Sequence, residues 1–238
     1  MKSVNKYWIY GYHTVQAALA NPARTLHNLI TTKQMHKEFA NSFPQLQIHD
    51  KSFFDKKFGA EVVHQGIAAE VTPLEPLYLQ EFVKTAREDS VILILDQVTD
   101  PHNIGAILRT AAAMQVDAIL LPDRNSPMEG PVMAKTASGA LELVPIIRET
   151  NLARAMGELK EQNFWCYGFA EGNNTALHKN KLNGRIALVM GAEGKGMRRL
   201  TKEHCDVLVH IPTSEQFSTL NVSNAAAIAM YEAMRQRE

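Results

Sequence analysis

Three segments of the sequence place polar side chains or glycines at spacings that suit a binding or reaction site. The first is Asp96–Thr110, a polar stretch that runs into a helical pattern. Asp100 followed by Pro101 is typical of a helix start, because aspartate caps the first turn and proline needs no N–H donor there. Arg109 lies about 140° around this helix from Ile104, off the apolar stripe. Its guanidinium is either a site residue or a solvated surface cation.

The second segment is a glycine-rich loop, Met190–Met197, which follows an apolar run. Its glycines, Gly191, Gly194 and Gly196, allow a ligand to approach the backbone closely and to reach N–H groups. The order G-x-x-G-x-G is the reverse of the dinucleotide fingerprint, which disfavours a nucleotide-binding dehydrogenase. Glu193 would repel a phosphate, so the loop favours a cationic or hydroxyl-rich ligand, with an ordinary tight turn as the alternative.

The third segment runs from Ile211 to Asn224 and opens the last helical stretch. Thr219 supplies a hydroxyl group, and Asn221 or Ser223 would serve as a helix cap. The helix that follows is rich in alanine on one face. Small residues of this kind permit close packing, either within the chain or across a dimer interface.

Apolar runs precede these segments and must position them. Val91–Leu95, Ala118–Leu121 and Ile186–Met190 are continuous runs of β-branched residues, leucine and other apolar residues, typical of strands buried on both faces of a parallel sheet. Val207–Ile211 is a further strand. Helical patterns separate the runs, which indicates an α/β domain. In open α/β sheets, ligands usually bind at the carboxyl ends of the strands, where the first two loops lie.

The first 71 residues indicate a separate, small α/β unit. Gly11 leads into a helical pattern, Leu29-Ile30 and Ile67–Val71 are short strand candidates, and a charged helical stretch covers Lys33–Asn41.

Two prolines, Pro73 and Pro76, interrupt the pattern after this unit and mark a linker. A helix over Leu77–Arg87 follows it. The domains predicted from the sequence are residues 1–72, a linker and helix at 73–89, and residues 90–238.

Composition limits the classes of protein that fit. The 238 residues are 45% hydrophobic, and 25 Lys and Arg residues balance 25 Asp and Glu residues, which argues against a strongly basic nucleic-acid coat protein. Cys166 and Cys205 have no metal-ligand spacing, and neither do His102, His204 and His210. No leader sequence and no membrane-length apolar run is evident. We therefore expect a soluble cytoplasmic protein with no metal.

The three segments, in this order, resemble the motifs of the SPOUT superfamily, specifically its SpoU (TrmH) branch of RNA 2′-O-ribose methyltransferases. The matching stretches are Asn103–Arg109, Met190–Gly194, and Ile211-Pro212 with Leu220–Ser223. Four further stretches extend the resemblance over nearly the whole chain: Gly11–Val15, His64–Ala68, Ala137–Ala140 and Val144-Pro145. Within the branch, residues 96–103 and 190–194 resemble the enzymes that methylate a guanosine of bacterial 23S ribosomal RNA.

The resemblance implies a fold, a cofactor and partners. It implies an α/β protein whose carboxy-terminal SPOUT domain has a parallel sheet and a trefoil knot, preceded by an RNA-binding domain similar to ribosomal protein L30e. It also implies S-adenosyl-L-methionine as methyl donor, the ribose 2′-hydroxyl of RNA as acceptor, and a homodimer with sites shared across its interface. Transfer RNA as substrate and a non-catalytic RNA-binding ribosome-assembly factor are the alternatives.

The resemblance also assigns roles to individual residues. Arg109 would activate the 2′-hydroxyl, either as an unusual base or as a cation that stabilises the developing alkoxide. The other catalytic or polar site residues are Asn103, Glu193, Thr219 and Asn221. Those near the cofactor are Met190, Gly191, Gly196, Ile211 and Leu220.

Two departures from the family pattern occur in the third segment. Thr219 replaces the usual serine and keeps the hydroxyl. Glu215, Gln216 and Phe217 stand where the family has glycine and small residues, so we expect a reshaped cofactor or RNA site.

Basic residues near the glycine loop are candidates for contacts with RNA phosphates. These are Lys195, Arg198 and Arg199, of which the two arginines are alternatively solvated helix residues.

Overall fold

The computed structural model describes residues 5–172 and 175–237, which form two compact units. The amino-terminal unit holds the chain up to Glu75 together with Met128–Leu143. The carboxy-terminal unit holds Pro76–Pro127 and the chain from Val144 onward. The chain therefore passes between the units after residues 75, 127 and 143.

Strands and helices alternate along much of the described chain. The strands are β1 (Tyr7–Tyr10), β2 (Leu26–Thr31), β3 (Gln47–Ile48), β4 (Ile67–Val71), β5 (Val91–Asp96), β6 (Ala118–Pro122), β7 (Ile146–Glu149), β8 (Trp165–Phe169), β9 (Thr175–Ala176), β10 (Ile186–Gly191) and β11 (Val207–His210). The α-helices are α1 (Tyr12–Ala20), α2 (Lys33–Phe39), α3 (Lys51–Phe58), α4 (Leu79–Thr85), α5 (Pro101–Ala113), α6 (Pro131–Ala137), α7 (Leu152–Glu161), α8 (Arg199–Glu203) and α9 (Val222–Arg235). None of these helices combines the length and apolar composition needed to cross a membrane.

A four-stranded sheet in the order β1-β4-β2-β3 lies at the centre of the amino-terminal unit. β4 pairs antiparallel with β1 and β2, while β3 pairs parallel with β2. Four of the five residues of β4 are buried, because it lies in the interior of the sheet. Helix α6 and the 3₁₀ helix Ala140–Glu142 also belong to this unit.

The carboxy-terminal unit is built on a seven-stranded sheet in the order β7-β6-β5-β10-β8-β11-β9. Each of its strand pairings is parallel. Every residue of β5 and β6 is buried, as are the first five residues of β10. Burying a leucine or isoleucine side chain contributes about 1.5–3 kcal/mol, so these strands contribute strongly to the stability of the unit.

The structure confirms the α/β class and the strands predicted from continuous apolar runs. Val91–Leu95, Ala118–Leu121 and Ile186–Met190 lie within β5, β6 and β10. The predicted helix start is also confirmed. The Asp100 carboxylate accepts a hydrogen bond from the His102 N–H at 2.9 Å, and Pro101 is the first residue of α5.

Three strands of the same sheet, β7, β8 and the two-residue β9, were not predicted. β7 is only four residues long and ends in Arg148-Glu149, so it lacks a continuous apolar run. β8 begins with an exposed Trp165 and contains Gly168, which weakens its strand pattern. The predicted helices at 33–41 and 77–87 are shorter in the structure, spanning Lys33–Phe39 and Leu79–Thr85.

Met128–Leu143 is held in the amino-terminal unit by a buried ionic cluster, although the domain predicted to begin at residue 90 includes this segment. The Arg24 side chain is fully buried and forms ion pairs with Glu129 and Glu142. The Tyr7 hydroxyl donates a hydrogen bond to Glu129. This long-range pairing carries no signal in the local sequence.

Close backbone packing adds to this attachment. Gly139 has a φ of 97°, and a β-carbon there would lie 3.0 Å from the Ala17 Cβ and 3.1 Å from the His13 oxygen. Only glycine fits this conformation and this approach to α1 without strain.

Candidate active site

A cavity of about 590 Å³ lies at the carboxyl ends of β8, β10 and β11 in the carboxy-terminal unit. This is the edge of a parallel sheet at which ligands are expected. Seven of the ten predicted site residues line it: Met190, Gly191, Glu193, Gly196, Ile211, Thr219 and Leu220. Asn103, Arg109 and Asn221 are not among its lining residues.

The glycine loop has a shape that larger residues would disrupt. The Ala192 N–H donates to the Gly196 oxygen at 3.2 Å, and the Gly196 N–H donates to the Ala192 oxygen at 2.8 Å. A β-carbon at Gly191 would lie 2.1 Å from the Gly196 carbonyl carbon, so the closed loop excludes any side chain there. Gly194 and Gly196 have φ values of 79° and 67°, which favour glycine.

The end of β5 holds this loop in place. The Asp96 side chain is fully buried and accepts hydrogen bonds from the Arg198 backbone N–H at 2.8 Å and from Arg198 Nε at 2.7 Å. The neighbouring Gln97 donates from Nε2 to the Gly196 oxygen at 3.2 Å. The carboxyl end of the glycine loop is thus tied to the first predicted segment.

The third segment closes on itself beside the cavity. The Phe217 N–H donates to the Ser214 oxygen, and the Thr213 hydroxyl donates to the Ser218 oxygen at 3.4 Å. Thr213, Ser218 and Thr219 line the cavity, whereas the residues between Thr213 and Ser218 do not. Phe217 is 74% exposed. The unusual residues at 215–217 therefore lie outside the cavity wall.

Asn103 and Asn221 meet through their side chains. Asn221 Nδ2 donates to Asn103 Oδ1 at 3.1 Å, joining the first turn of α5 to the start of α9. Asn221 Oδ1 accepts from the Ser223 N–H at 2.9 Å and from its hydroxyl at 2.6 Å. Of the two predicted cap residues, Asn221 is the one that caps α9.

Arg109 is exposed on α5, and its side chain makes no hydrogen bond or ion pair with another residue in the described part of the chain. Its position off the apolar stripe agrees with the predicted angle from Ile104, which is fully buried. The guanidinium is accessible to a ligand or to solvent.

The candidate RNA-contacting arginines have partners within the chain. Arg198 pairs with Asp96, and Arg199 pairs with Glu203 one helical turn away at 2.6 Å. Lys195 is exposed and lines the cavity. Of these three residues, only Lys195 lines the cavity and forms no ion pair with another described residue.

Sequence reasoning missed one wall of the cavity. Phe169–Gly172, at the carboxyl end of β8, line it together with Lys202. The apolar stretch Phe164–Phe169 was the available signal, because a strand beside β10 would end at the same edge. Glu171 adds a second acidic residue to the cavity lining, which also includes Glu193.

The two cysteines are free, and both are poor candidates for a nucleophile. Burial raises the pKa of each thiol to about 12, with a smaller contribution from the Asp206 carboxylate. Both are therefore neutral thiols near pH 7, whereas the thiolate is the nucleophilic form. In the described residues, no group of three or more His, Cys, Asp or Glu side chains is placed to hold a metal ion.

Comparisons with known proteins identify the family. The SpoU rRNA methylase family model matches residues 90–231, and the RNA 2′-O ribose methyltransferase substrate-binding model matches residues 8–77. The 23S rRNA (guanosine-2′-O-)-methyltransferase RlmB of Escherichia coli K12 is 41% identical over 96% of this chain and 98% of its own. The chain belongs to the SpoU rRNA methylase family. The enzyme of the same name from Pseudomonas putida is 39% identical over 97% of this chain and 96% of its own.

Solved structures of SpoU proteins have the same fold. AviRb from Streptomyces viridochromogenes, solved with AdoMet, aligns with a TM-score of 0.84 at 22% identity over 98% of this chain and 90% of its own. An AdoMet-bound rRNA methyltransferase from Sinorhizobium meliloti aligns with a TM-score of 0.81 at 18% identity over 97% and 87% of the two chains. At these identities the likeness concerns the fold.

The two family matches coincide with the two sheets. The SpoU methylase match covers all seven strands of the parallel sheet and the whole cavity wall. The substrate-binding match covers the four strands of the other sheet except Tyr7, the first residue of β1. The candidate active site therefore lies in the methylase part of the family.

Proposed function

We propose that this SpoU-family chain transfers a methyl group from S-adenosyl-L-methionine to the ribose 2′-hydroxyl of a guanosine in 23S ribosomal RNA. The observation that carries the proposal is the cavity at the sheet edge, lined by seven of the predicted site residues. The reaction and the RNA follow from 41% identity over nearly the full length to an enzyme named for that reaction.

The cavity fits S-adenosyl-L-methionine in size and in chemistry. Its volume of about 590 Å³ is within the range of small-molecule sites. Met190, Ile211 and Leu220 offer apolar contacts for an adenine ring. The carboxylates of Glu193 and Glu171 suit an ammonium group or ribose hydroxyls. Backbone groups near Gly191 and Gly196 would hold the methionine part.

The chemistry places modest demands on the protein. Bound S-adenosyl-L-methionine supplies a methyl group on a cationic sulfur, which is already a good leaving group. The side chains then need to orient the ribose and stabilise the oxygen as it loses its proton. Asn103, linked to Asn221, and the Thr219 hydroxyl would orient the ribose. Arg109, which is exposed on α5, would stabilise the developing alkoxide.

We further propose the family features that lie beyond these observations. The carboxy-terminal domain, residues 90–238, would carry the trefoil knot, and residues 1–72 would form the L30e-like RNA-binding domain, joined through 73–89. The chain would act in the cytoplasm as a homodimer with sites shared across its interface. Exposed Ile228 and Tyr231 on α9 support an interface there, since both are large apolar side chains facing solvent in the single chain.

The deciding experiment is a map of ribose 2′-O-methylation in RNA from cells with and without the gene. We expect one guanosine of 23S ribosomal RNA to lose its methyl group in the deletion strain and to regain it on incubation with the purified protein and S-adenosyl-L-methionine. Loss of a transfer RNA mark instead would change the substrate. An unchanged map, together with no binding of S-adenosyl-L-methionine by calorimetry, would support a non-catalytic assembly factor.

A further inference from the structure

The amino-terminal unit contains a cavity that the methyl-transfer chemistry does not use. Its volume is about 860 Å³, and it lies between the start of α2, the beginning of α3 and the loop before β4. That size is within the range of sites that enclose a small organic ligand.

One wall of this cavity is held rigidly. Gly66 has a φ of 76°, and a β-carbon there would lie 2.6 Å from Thr32 Oγ1, so the loop packs directly against the start of α2. The Gly66 N–H donates to His64 Nδ1 at 3.0 Å, and the Thr32 N–H donates to the Gly66 oxygen at 2.8 Å. His64 is in turn stacked on Phe54. The wall is formed before any ligand binds.

The cavity offers a ring and apolar side chains to a flat ligand. His49 lines it and is stacked on Phe53, with ring centroids 3.8 Å apart and planes 12° apart, so one ring face is covered and the orientation is fixed. Met35, Ile48 and Val63 also line the cavity. Ile48 is 50% exposed and Val63 is 67% exposed. Unstacked RNA bases bind aromatic rings and apolar surfaces of this kind.

Two carboxylates in the cavity wall favour a base over a phosphate group. Asp50 and Asp55 both line it. Hydrogen bonds from the Ser52 hydroxyl and the Phe53 N–H lower the pKa of Asp50, which keeps it ionised. Carboxylates repel a phosphate and accept hydrogen bonds from the N–H groups on the edge of a base. Guanine fits best, because its adjacent N1–H and N2 amino groups present three N–H hydrogens on one edge, which is enough for both carboxylates.

Two lysine side chains and one glutamine amide also line the cavity. Lys33 and Lys51 line the cavity and are exposed, which suits phosphates on either side of a bound base. Gln65 Oε1 accepts hydrogen bonds from the Tyr12 N–H at 3.1 Å and from Lys135 Nζ at 3.3 Å. The Gln65 amide is therefore held in one orientation at the cavity wall.

We propose that this cavity takes one unstacked guanine base of single-stranded RNA, stacked on His49 and hydrogen-bonded through its N–H edge to Asp55 and Asp50. The proposal rests on the proposed function, because RNA is the substrate of that reaction. It adds a base-specific subsite in the amino-terminal unit, so that recognition of the RNA includes a guanine apart from the ribose that is methylated.

The test is the binding of labelled five-nucleotide RNAs to the full chain by fluorescence anisotropy. UUGUU should bind more tightly than UUAUU, UUCUU or UUUUU. His49→Ala should weaken UUGUU binding about tenfold, the scale of a lost base–aromatic stack, whereas His49→Phe should retain it. Asp55→Asn should reduce the preference for UUGUU over UUUUU, because it replaces a carboxylate by an amide.

Glu161→Gln is the matched control for charge, since Glu161 is an exposed residue at the end of α7 in the other unit. It should bind all four RNAs like the unaltered chain. The proposal would be overturned if the unaltered chain bound the four RNAs equally, or if both His49→Ala and Asp55→Asn kept an unchanged preference. A protein partner would then be the ligand to test for this cavity. Thermal unfolding of each variant establishes that it is folded.

Methyl-transfer assays on 23S ribosomal RNA from the deletion strain separate this proposal from the proposed function. His49→Ala should raise KM for RNA and leave kcat and KM for S-adenosyl-L-methionine unchanged. If the unaltered chain prefers UUGUU but transfers no methyl group, the proposed function fails and the subsite stands. If transfer proceeds and both variants have an unchanged KM for RNA, the subsite alone fails.

Discussion

Arg109 is placed to act through its charge. It is exposed on α5, two turns along from Asn103, whose side chain is tied to the start of α9. Removing one preorganised donor to a developing oxyanion typically lowers a rate by about 10²–10³-fold. We therefore expect Arg109→Ala to lower kcat by that factor while calorimetry shows unchanged binding of S-adenosyl-L-methionine. Arg154→Ala, on the exposed face of α7, is the control, and normal turnover in Arg109→Ala would remove this residue from the mechanism.

The Asp96 side chain holds Arg198, the residue that follows the glycine loop. Its buried carboxylate takes two hydrogen bonds from Arg198, and hydrogen bonds to charged groups contribute about 1.5–3 kcal/mol when both partners are buried. Because Arg198 is 46% exposed, water replaces part of that interaction.

Asp96→Asn should therefore lower the free energy of unfolding by about 1–2 kcal/mol and raise KM for S-adenosyl-L-methionine. Urea unfolding and initial-rate kinetics measure the two effects. Asp89→Asn, at an exposed pair with Arg87, should change neither. An unaltered KM in a destabilised Asp96→Asn variant would limit Asp96 to a structural role.

Single residues were predictable from the sequence to different degrees. Arg109 stands in a recognisable motif, and the helical periodicity predicts which face of α5 it lies on. Asp96 also stands in a matching stretch, residues 96–103, but its role has no local signal, because its partner Arg198 is 102 positions away along the chain. Glu171 was missed for a related reason, since β8 has too weak a strand pattern to place the residues that follow it at the sheet edge.

At the level of elements, the glycine loop is the most constrained part of the site. A β-carbon at Gly191 would contact backbone atoms of Gly196 at 2.1 Å, whereas a β-carbon at Gly194 would have no atom within 4 Å. Gly191→Ala should thus force the loop open and weaken binding of S-adenosyl-L-methionine by at least about tenfold, or 1.4 kcal/mol.

Gly194→Ala is the informative comparison, because its only energetic cost is an alanine in the left-handed backbone conformation, about 1 kcal/mol. Calorimetric titration of both variants would distinguish the two effects. Equal losses of affinity in the two variants would contradict the close-packing argument.

The strands that the sequence predicted best are those in which nearly every residue is buried. β5, β6 and β10 are buried along almost their whole length, and their positions are apolar apart from Asp96 at the end of β5 and Gly191 at the end of β10. The edge strand β7 and the two-residue strands β3 and β9 depend on neighbours that the local sequence does not contain. The closed third segment was likewise unpredictable, because its turn keeps Phe217 outside the cavity wall through backbone hydrogen bonds.

On the scale of the whole molecule, Arg24 connects two distant parts of the chain. Its guanidinium pairs with Glu129 and Glu142, whose side chains are 9% and 3% exposed. Removing one partner of a buried ion pair costs about 3–5 kcal/mol, because the remaining charge stays buried without compensation. Arg24→Met should lower the stability of the amino-terminal unit by that amount in urea unfolding. Arg87→Met is the control, since Arg87 is 62% exposed and its pairs contribute about 1 kcal/mol or less.

A loss below about 1 kcal/mol in Arg24→Met would show that water reaches the cluster and screens it. Met128–Leu143 would then be bound only weakly to the amino-terminal unit. The domain range 90–238 predicted from the sequence, which includes this segment, would describe its stability better than the compact units do.

The attachment of Met128–Leu143 also limits how this protein can be rearranged by recombination. The amino-terminal unit is encoded in two separate stretches, so a crossover after residue 75 would separate Arg24 from both of its carboxylate partners. A chimaera that receives only the first stretch from another family member would contain the arginine side of this ionic cluster without its matching carboxylates. Successful exchange of substrate-binding units among these enzymes therefore requires that the two stretches be transferred as a matched pair.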